Sequence, residues 1–203
     1  MSDSPHEALR ADPDIGPLVE THGELTLDPA SDLFERLVVS ILRQQVSMAS
    51  AAATRDRLFD AVTVTPAGIK DADNEMLRDA GLSRQKTRYV NEVADAFLEH
   101  GYSLATFADA TDEEIREALT AITGVGDWTA NMQLLFAFGR EDVFPVGDLG
   151  IRKGFEAVIR EGYSRAEMRE YAERWSPYRS YASLYLWRAS EDIAESVAEV
   201  RED

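Results

Sequence analysis

Apolar residues along this chain recur at the spacing of helices, and strand-like alternation is weak. Leu37, Val38, Ile41 and Leu42 share one helical face, and so do Val90, Val93, Phe97 and Leu98. The boundaries agree with that reading. Thr111-Asp112-Glu113-Glu114 and Ser164-Arg165-Ala166-Glu167 each have the spacing of a capping box. Gly81 and Gly101 stand where helices stop, and Pro66 and Pro177 where helices or turns begin. The pattern predicts an all-α protein of roughly nine to eleven helices with short connections, no internal repeat and no long linker.

One stretch breaks the periodicity. Ile122-Thr123-Gly124-Val125-Gly126-Asp127-Trp128-Thr129-Ala130 reads as a tight hairpin between two helices, with a new helix beginning near Gly126. Glycines let the backbone turn and approach a ligand closely. The first amides of the following helix point outward, and the helix dipole favours an anion there. Gly124, Val125 and Gly126 are therefore candidate phosphate-binding positions, with Thr129 adding a hydroxyl. About twenty residues on, Val146-Gly147-Asp148 presents a lone carboxylate.

Composition sets bounds around that picture. The chain has 203 residues, 44% of them hydrophobic, which suits one compact unit or two small lobes. With no cysteine, disulfides, thiolate zinc sites and iron–sulfur clusters are excluded. No apolar run is long enough to span a membrane, and the acidic start lacks the features of a signal peptide, so a cytoplasmic, nucleoid-associated protein is expected. His6, His22 and His100 are too scattered for a metal site and read as surface residues.

The net charge of −17 sits awkwardly with nucleic-acid binding. The acid is concentrated at the ends: residues 1–35 carry −8 and residues 189–203 carry −5, leaving −4 for everything between. Only three lysines (Lys70, Lys86, Lys153) accompany eighteen arginines. High acid with little lysine points to a protein of a salt-adapted microbe. The local basic run Arg84-Gln85-Lys86-Thr87-Arg88 fits a DNA contact and a solvated helix start equally well.

Three ordered segments carry a family resemblance. They are Leu37-Val38-Val39-Ser40-Ile41-Leu42-Arg43-Gln44-Gln45-Val46-Ser47, the hairpin from Ile122 to Asn131, and Asp142 to Ile151, with Tyr171 to Ala182 following downstream. In order and spacing they resemble the helix–hairpin–helix DNA glycosylases, specifically the alkyladenine branch in its short form. One G-V-G hairpin alone would be weak evidence, whereas three ordered segments are strong.

The resemblance implies a single unit over residues 1–203, built of two helical lobes with the active-site cleft between them. The lobes are expected at about 1–44 plus 141–203 and about 45–140. It implies a monofunctional enzyme that flips alkylated purines out of damaged double-stranded DNA and hydrolyses the bond to the sugar, leaving an abasic site. The family acts as a monomer, with no membrane, no protein partner and no required cofactor. A sodium or potassium ion held by the Ile122 and Val125 carbonyls is expected from relatives. Another lesion, oxidised or deaminated, and a non-catalytic DNA-binding module remain the alternatives.

Residue by residue, the family's catalytic aspartate falls on Asp148. Breaking the base–sugar bond gives the sugar oxocarbenium character, which a nearby carboxylate stabilises while it orients water. The other reading of Asp148 is an N-cap for a helix starting near Leu149. Family members that also cut the strand carry lysine where Trp128 stands, and tryptophan cannot form a Schiff base. Trp128 and Trp187 are the pocket aromatics, with Tyr178 and Tyr181 as weaker candidates and Trp175 as core; an indole face attracts a cationic purine. Met132, Leu149 and Arg188 stand where a bacterial relative has tyrosines, so the pocket is less aromatic here. Gln45, with Gln44 beside it, occupies the position that fills the hole left by the flipped base, and glutamine can also hydrogen-bond the orphaned partner base. Ser47 is grouped with the phosphate contacts.

Overall fold

The structure, a computed structural model, describes residues 4–199, with side chains described through Glu191. Part of the acidic C-terminal stretch therefore lies outside the described side chains. Twelve α-helices and no strand occur among the described residues. They are α1 (Pro5–Arg10), α2 (Gly16–His22), α3 (Leu33–Arg43), α4 (Met48–Ala61), α5 (Pro66–Asp71), α6 (Asn74–Asp79), α7 (Arg84–His100), α8 (Asp112–Thr120), α9 (Asp127–Phe136), α10 (Leu149–Val158), α11 (Arg165–Ala172) and α12 (Arg179–Glu199). The number exceeds the sequence reading because α1, α5 and α6 have six residues each, too few to display a periodicity. No helix of the described residues is long and apolar enough to cross a membrane.

The chain forms two compact units. One is Pro29–Phe138, and the other combines the residues through Asp28 with those from Gly139 onward. Helix α3 belongs to the middle unit, whereas the lobe boundary expected near residue 44 grouped it with the chain ends. The reason is its apolar stripe: Leu37, Val38, Ile41 and Leu42 are all buried, and α3 packs on α7 and α9.

Local chemistry accounts for the helices of the middle unit. Asp32 caps α3 by accepting the Glu35 amide at 2.8 Å. Ser83 caps α7, and Gly101 ends it in the left-handed conformation at φ 64°. The buried stripe of α7 is Val90, Val93, Ala94 and Phe97, while Leu98 is 56% exposed. Leu98 lies about 90° around the helix from the centre of that stripe, since each residue turns about 100°. Thr111 and Glu114 form the capping box of α8.

The second unit is organised around α10 and α12. Ile151 and Phe155 of α10 pack with Trp175, Tyr185 and Leu186 in one core, and Trp175 is 2% exposed, as expected of a core residue. Ser164 and Glu167 form the capping box of α11. Arg179 clasps Asp142 with two bonds of 2.7 and 2.9 Å and reaches Glu173 at 2.6 Å. Burial alone would raise the Asp142 carboxyl; the Arg179 and Ser176 hydrogen bonds outweigh it and hold the group below the usual range.

His6 corrects the expectation of a surface histidine. It is 6% exposed, and its Nδ1 lies 3.1 Å from the Tyr185 hydroxyl. That hydroxyl also donates to the Gly23 carbonyl at 2.8 Å and accepts the Leu25 amide. A buried phenol needs partners, and His6 supplies one from the opposite end of the sequence. His22 is half-buried, and only His100 is exposed.

Candidate active site

In the second unit the decisive side chain is Asp148. It sits at the N-cap of α10 with extended backbone, and its Oδ1 accepts the Ile151 amide at 3.0 Å. The same oxygen accepts the indole N–H of Trp187 from α12 at 2.8 Å. Two donors thus fix one oxygen of the carboxylate. Gly150 makes this possible: a Cβ there would lie 2.8 Å from the Trp187 ring and 3.1 Å from the Asp148 oxygen. The capping reading of Asp148 is therefore correct, and the same oxygen is held from two sides.

Two further pocket candidates lie in the same unit. Leu149 follows Asp148 directly and is 57% exposed. Arg188 is exposed and pairs with Glu191 at 3.0 Å. Tyr178 and Tyr181 pack edge-to-face against each other on the unit's own core, and the Tyr181 hydroxyl donates to Glu141.

The middle unit carries the hairpin. Gly124 has φ +94°, and a Cβ on it would fall 2.2 Å from the Tyr89 ring. Only glycine satisfies both conditions at that position. The Ile122 carbonyl accepts the Val125 amide at 3.0 Å, closing the turn. Gly126 caps α9 without a side chain, and the first helical bond runs from the Ala130 amide to the Gly126 carbonyl. No capping side chain stands in front of the first turn, which leaves its mouth accessible to a ligand. Trp128, in that turn, is half-buried, and Met132, one turn on, is 5% exposed.

Two of the expected contacts are rearranged here. Thr129 is 1% exposed, and its hydroxyl accepts the Gln44 amide at 3.1 Å. It therefore faces the interior and cannot present its hydroxyl to a phosphate. Gln44 also donates to the Gly124 carbonyl at 3.0 Å, so its amide ties α3 to the hairpin and is not spare to fill a base stack. Gln45 takes the exposed position at the α3–α4 corner with φ +59°, the one non-glycine residue with positive φ among the described residues. That conformation costs about 1–2 kcal/mol, and such strain concentrates at functional positions. Ser47 is exposed and caps α4 by accepting the Ser50 amide.

Several supporting contacts were not legible in the sequence. Gln133 donates to Ser40 at 2.9 Å in the buried interior, a second tie between α9 and α3. Arg36 donates to the same Ser40 hydroxyl and lies over the Phe136 ring; burial, with the Arg43 charge, pushes its guanidinium down to about 10. Lys86, from the basic run, turns inward and donates to the Leu42 carbonyl at the end of α3 at 2.6 Å.

Comparison with known proteins places this arrangement. Residues 38–177 match the model of the HhH-GPD superfamily base excision DNA repair proteins. The chain belongs to this superfamily. It is 32% identical to DNA-3-methyladenine glycosylase 1 of Schizosaccharomyces pombe over 83% of its own length and 76% of the relative's. It is also 32% identical to DNA-3-methyladenine glycosylase 2 of Escherichia coli, over 85% of this chain but only 63% of that protein. The solved S. pombe 3-methyladenine DNA glycosylase in complex with abasic DNA superposes with a TM-score of 0.85 at 28% identity, covering 92% of this chain and 96% of that one. Both the hairpin and Asp148 fall inside the residues matched by the superfamily model.

The indole bond gives a first test. Trp187→Phe keeps a flat aromatic ring but removes the donor to Asp148. A hydrogen bond to a charged group contributes about 1.5–3 kcal/mol, so a tenfold or greater slowing of the single-turnover rate is expected, with little change in DNA affinity. An unchanged rate would show that the bond does not position the carboxylate.

Proposed function

We propose that this chain is a monofunctional DNA glycosylase that hydrolyses alkylated purines, of the 3-methyladenine and 7-methylguanine type, from damaged duplex DNA. The observation that carries the reading is Asp148: a carboxylate pinned through one oxygen by the Ile151 amide and the Trp187 indole. A 3- or 7-alkylated purine carries positive charge and leaves readily. As the base–sugar bond stretches, positive charge passes to C1′ and the ring oxygen. A carboxylate held beside C1′ stabilises that charge and orients the water that attacks it. The water's proton passes to the carboxylate or to solvent, and the neutral base departs.

The hairpin supplies positioning. Its backbone amides hold a phosphate of the damaged strand, and Gln45 stands at the α3–α4 corner to fill the stack after the base has flipped. A sodium or potassium ion, when bound, would take carbonyls of Ile122 and Val125; Ile122 already accepts the Val125 amide, so the ion would share that oxygen's second lone pair. Trp128 in place of lysine leaves the hairpin without an amine, and the product is an abasic site in an intact strand. The scarcity of lysine and the acidic ends favour a protein adapted to concentrated salt, in which stacking carries more of the DNA affinity than phosphate contacts.

Incubation with methylated duplex DNA in KCl-rich buffer tests this directly. Free 3-methyladenine or 7-methylguanine is expected, with no strand cleavage and no protein–DNA adduct trapped by borohydride. A trapped adduct would make the enzyme a lyase. DNA binding without base release would leave a binding module or a glycosylase for another lesion.

A further inference from the structure

Three arginines of the middle unit gather where α3 meets α4, and neither the hairpin nor Asp148 makes use of them. Arg36 and Arg43 stand seven residues apart on α3, so at about 100° per residue they share a face two turns apart. Arg55 comes from α4, which packs against α3. Arg36 is fixed in place: it donates to the Ser40 hydroxyl at 3.2 Å and lies 5.1 Å from the centre of the Phe136 ring. Arg55 lies 5.3 Å from the centre of the Phe59 ring. Arg43 is exposed at the end of α3.

These charges act on one another. Desolvation among the packed helices, and then the Arg55 charge, hold the Arg43 guanidinium below its ordinary value. Burial, and then the Arg43 charge, do the same to Arg36. Carboxylates do not relieve the repulsion, although the chain has 38 acidic residues. Among the described residues none pairs with Arg36 or Arg43. Arg55 meets only its chain neighbour Asp56, at 3.6 Å, with both side chains more than half exposed. Such a pair contributes little.

Like charges held together at a cost in free energy are stabilised when an anion enters between them. A guanidinium is a planar fork of donors that matches phosphate oxygens in pairs. We propose that Arg43 and Arg55 hold a backbone phosphate of duplex DNA, with Arg36 as a fixed positive charge beside them. The inference rests on the glycosylase reading for its ligand. It adds a phosphate contact made by side chains of α3 and α4, separate from the backbone amides of the hairpin.

The test uses a duplex that cannot be processed, so its outcome does not depend on catalysis. Binding to DNA carrying a tetrahydrofuran abasic analogue is followed by fluorescence anisotropy across a KCl series. Each phosphate contact adds about 0.9 to the slope of log affinity against log salt. Arg43→Gln and Arg55→Gln should each lower that slope by about 1 and weaken binding about five- to tenfold at roughly 0.1 M KCl. Their curves should converge on wild type towards about 1 M, where counterion release no longer favours the contact. Arg43→Lys keeps the charge and should keep the slope. Arg169→Gln, which removes an exposed arginine from the other unit, should leave it unchanged. Wild-type slopes in both glutamine variants overturn the proposal, as does a loss of affinity that is the same at every salt concentration. An equal fall in slope for Arg169→Gln would assign the effect to net charge and overturn it too. If inorganic phosphate raises the melting temperature of wild type but not of Arg43→Gln, while both bind DNA alike, the site takes a free anion and the proposal fails. Failure of the glycosylase reading is seen separately, as absence of base release from methylated DNA.

Discussion

Asp148→Asn is expected to slow base release by about a thousandfold while leaving the fold intact. Asparagine keeps the oxygen that accepts the Ile151 amide and the Trp187 indole, and it is as good an N-cap as aspartate. What it loses is the negative charge. Removing one preorganised electrostatic group typically costs about 10²–10³ in rate, and removing a positioned acid–base group about 10²–10⁴. Asp148→Ala gives the complementary result: the charge and the cap go together, adding about 1 kcal/mol of lost stability. Single-turnover base release and thermal melting, measured on both variants, separate the two roles. A fully active Asp148→Asn would remove Asp148 from the chemistry and leave it as a cap.

Much of this was legible in the sequence because the relevant signals are local. The stripes of α3 and α7, the two capping boxes and the hairpin glycines all act within one or two turns of the chain, where periodicity and caps carry information. The cap at Asp148 was legible for the same reason, since an aspartate just before a helix is a cap whatever else it does. What escaped depends on residues distant in sequence. His6 is buried against Tyr185, 179 residues away, and nothing near His6 signals it. Thr129 looked like a surface hydroxyl until Gln44, 85 residues earlier, proved to occupy it. Tyr89 determines why Gly124 must be glycine, yet its position in α7 shows only a half-buried aromatic. The helix count came out low because six-residue helices show no periodicity, and the α3 boundary differed because unit membership is decided by packing.

Gly154→Ala should be the most destabilising single-methyl change in the second unit. Helix α10 approaches α12 so closely at Gly154 that a Cβ would stand 1.9 Å from the Leu186 carbonyl oxygen, 2.6 Å from its carbon and 3.0 Å from its Cα. All three are backbone atoms of a helix, so no rotamer change relieves the overlap; the helices must separate. Overpacking typically costs about 1–3 kcal/mol, and a backbone clash falls at or above the top of that range. For a chain of this size, about 3 kcal/mol lowers the melting temperature by roughly 6–12 °C. Function should suffer beyond the loss of folded protein, because Leu186 precedes Trp187 and the same helix contact brings the indole onto Asp148. Gly150→Ala is the control: its Cβ meets side-chain atoms of Trp187 and Asp148, which can shift, so it should slow base release with a smaller fall in melting temperature. If Gly154→Ala melts like wild type, the close helix contact does not hold the site together. If Gly150→Ala matches wild type in rate, the carboxylate tolerates a displaced indole.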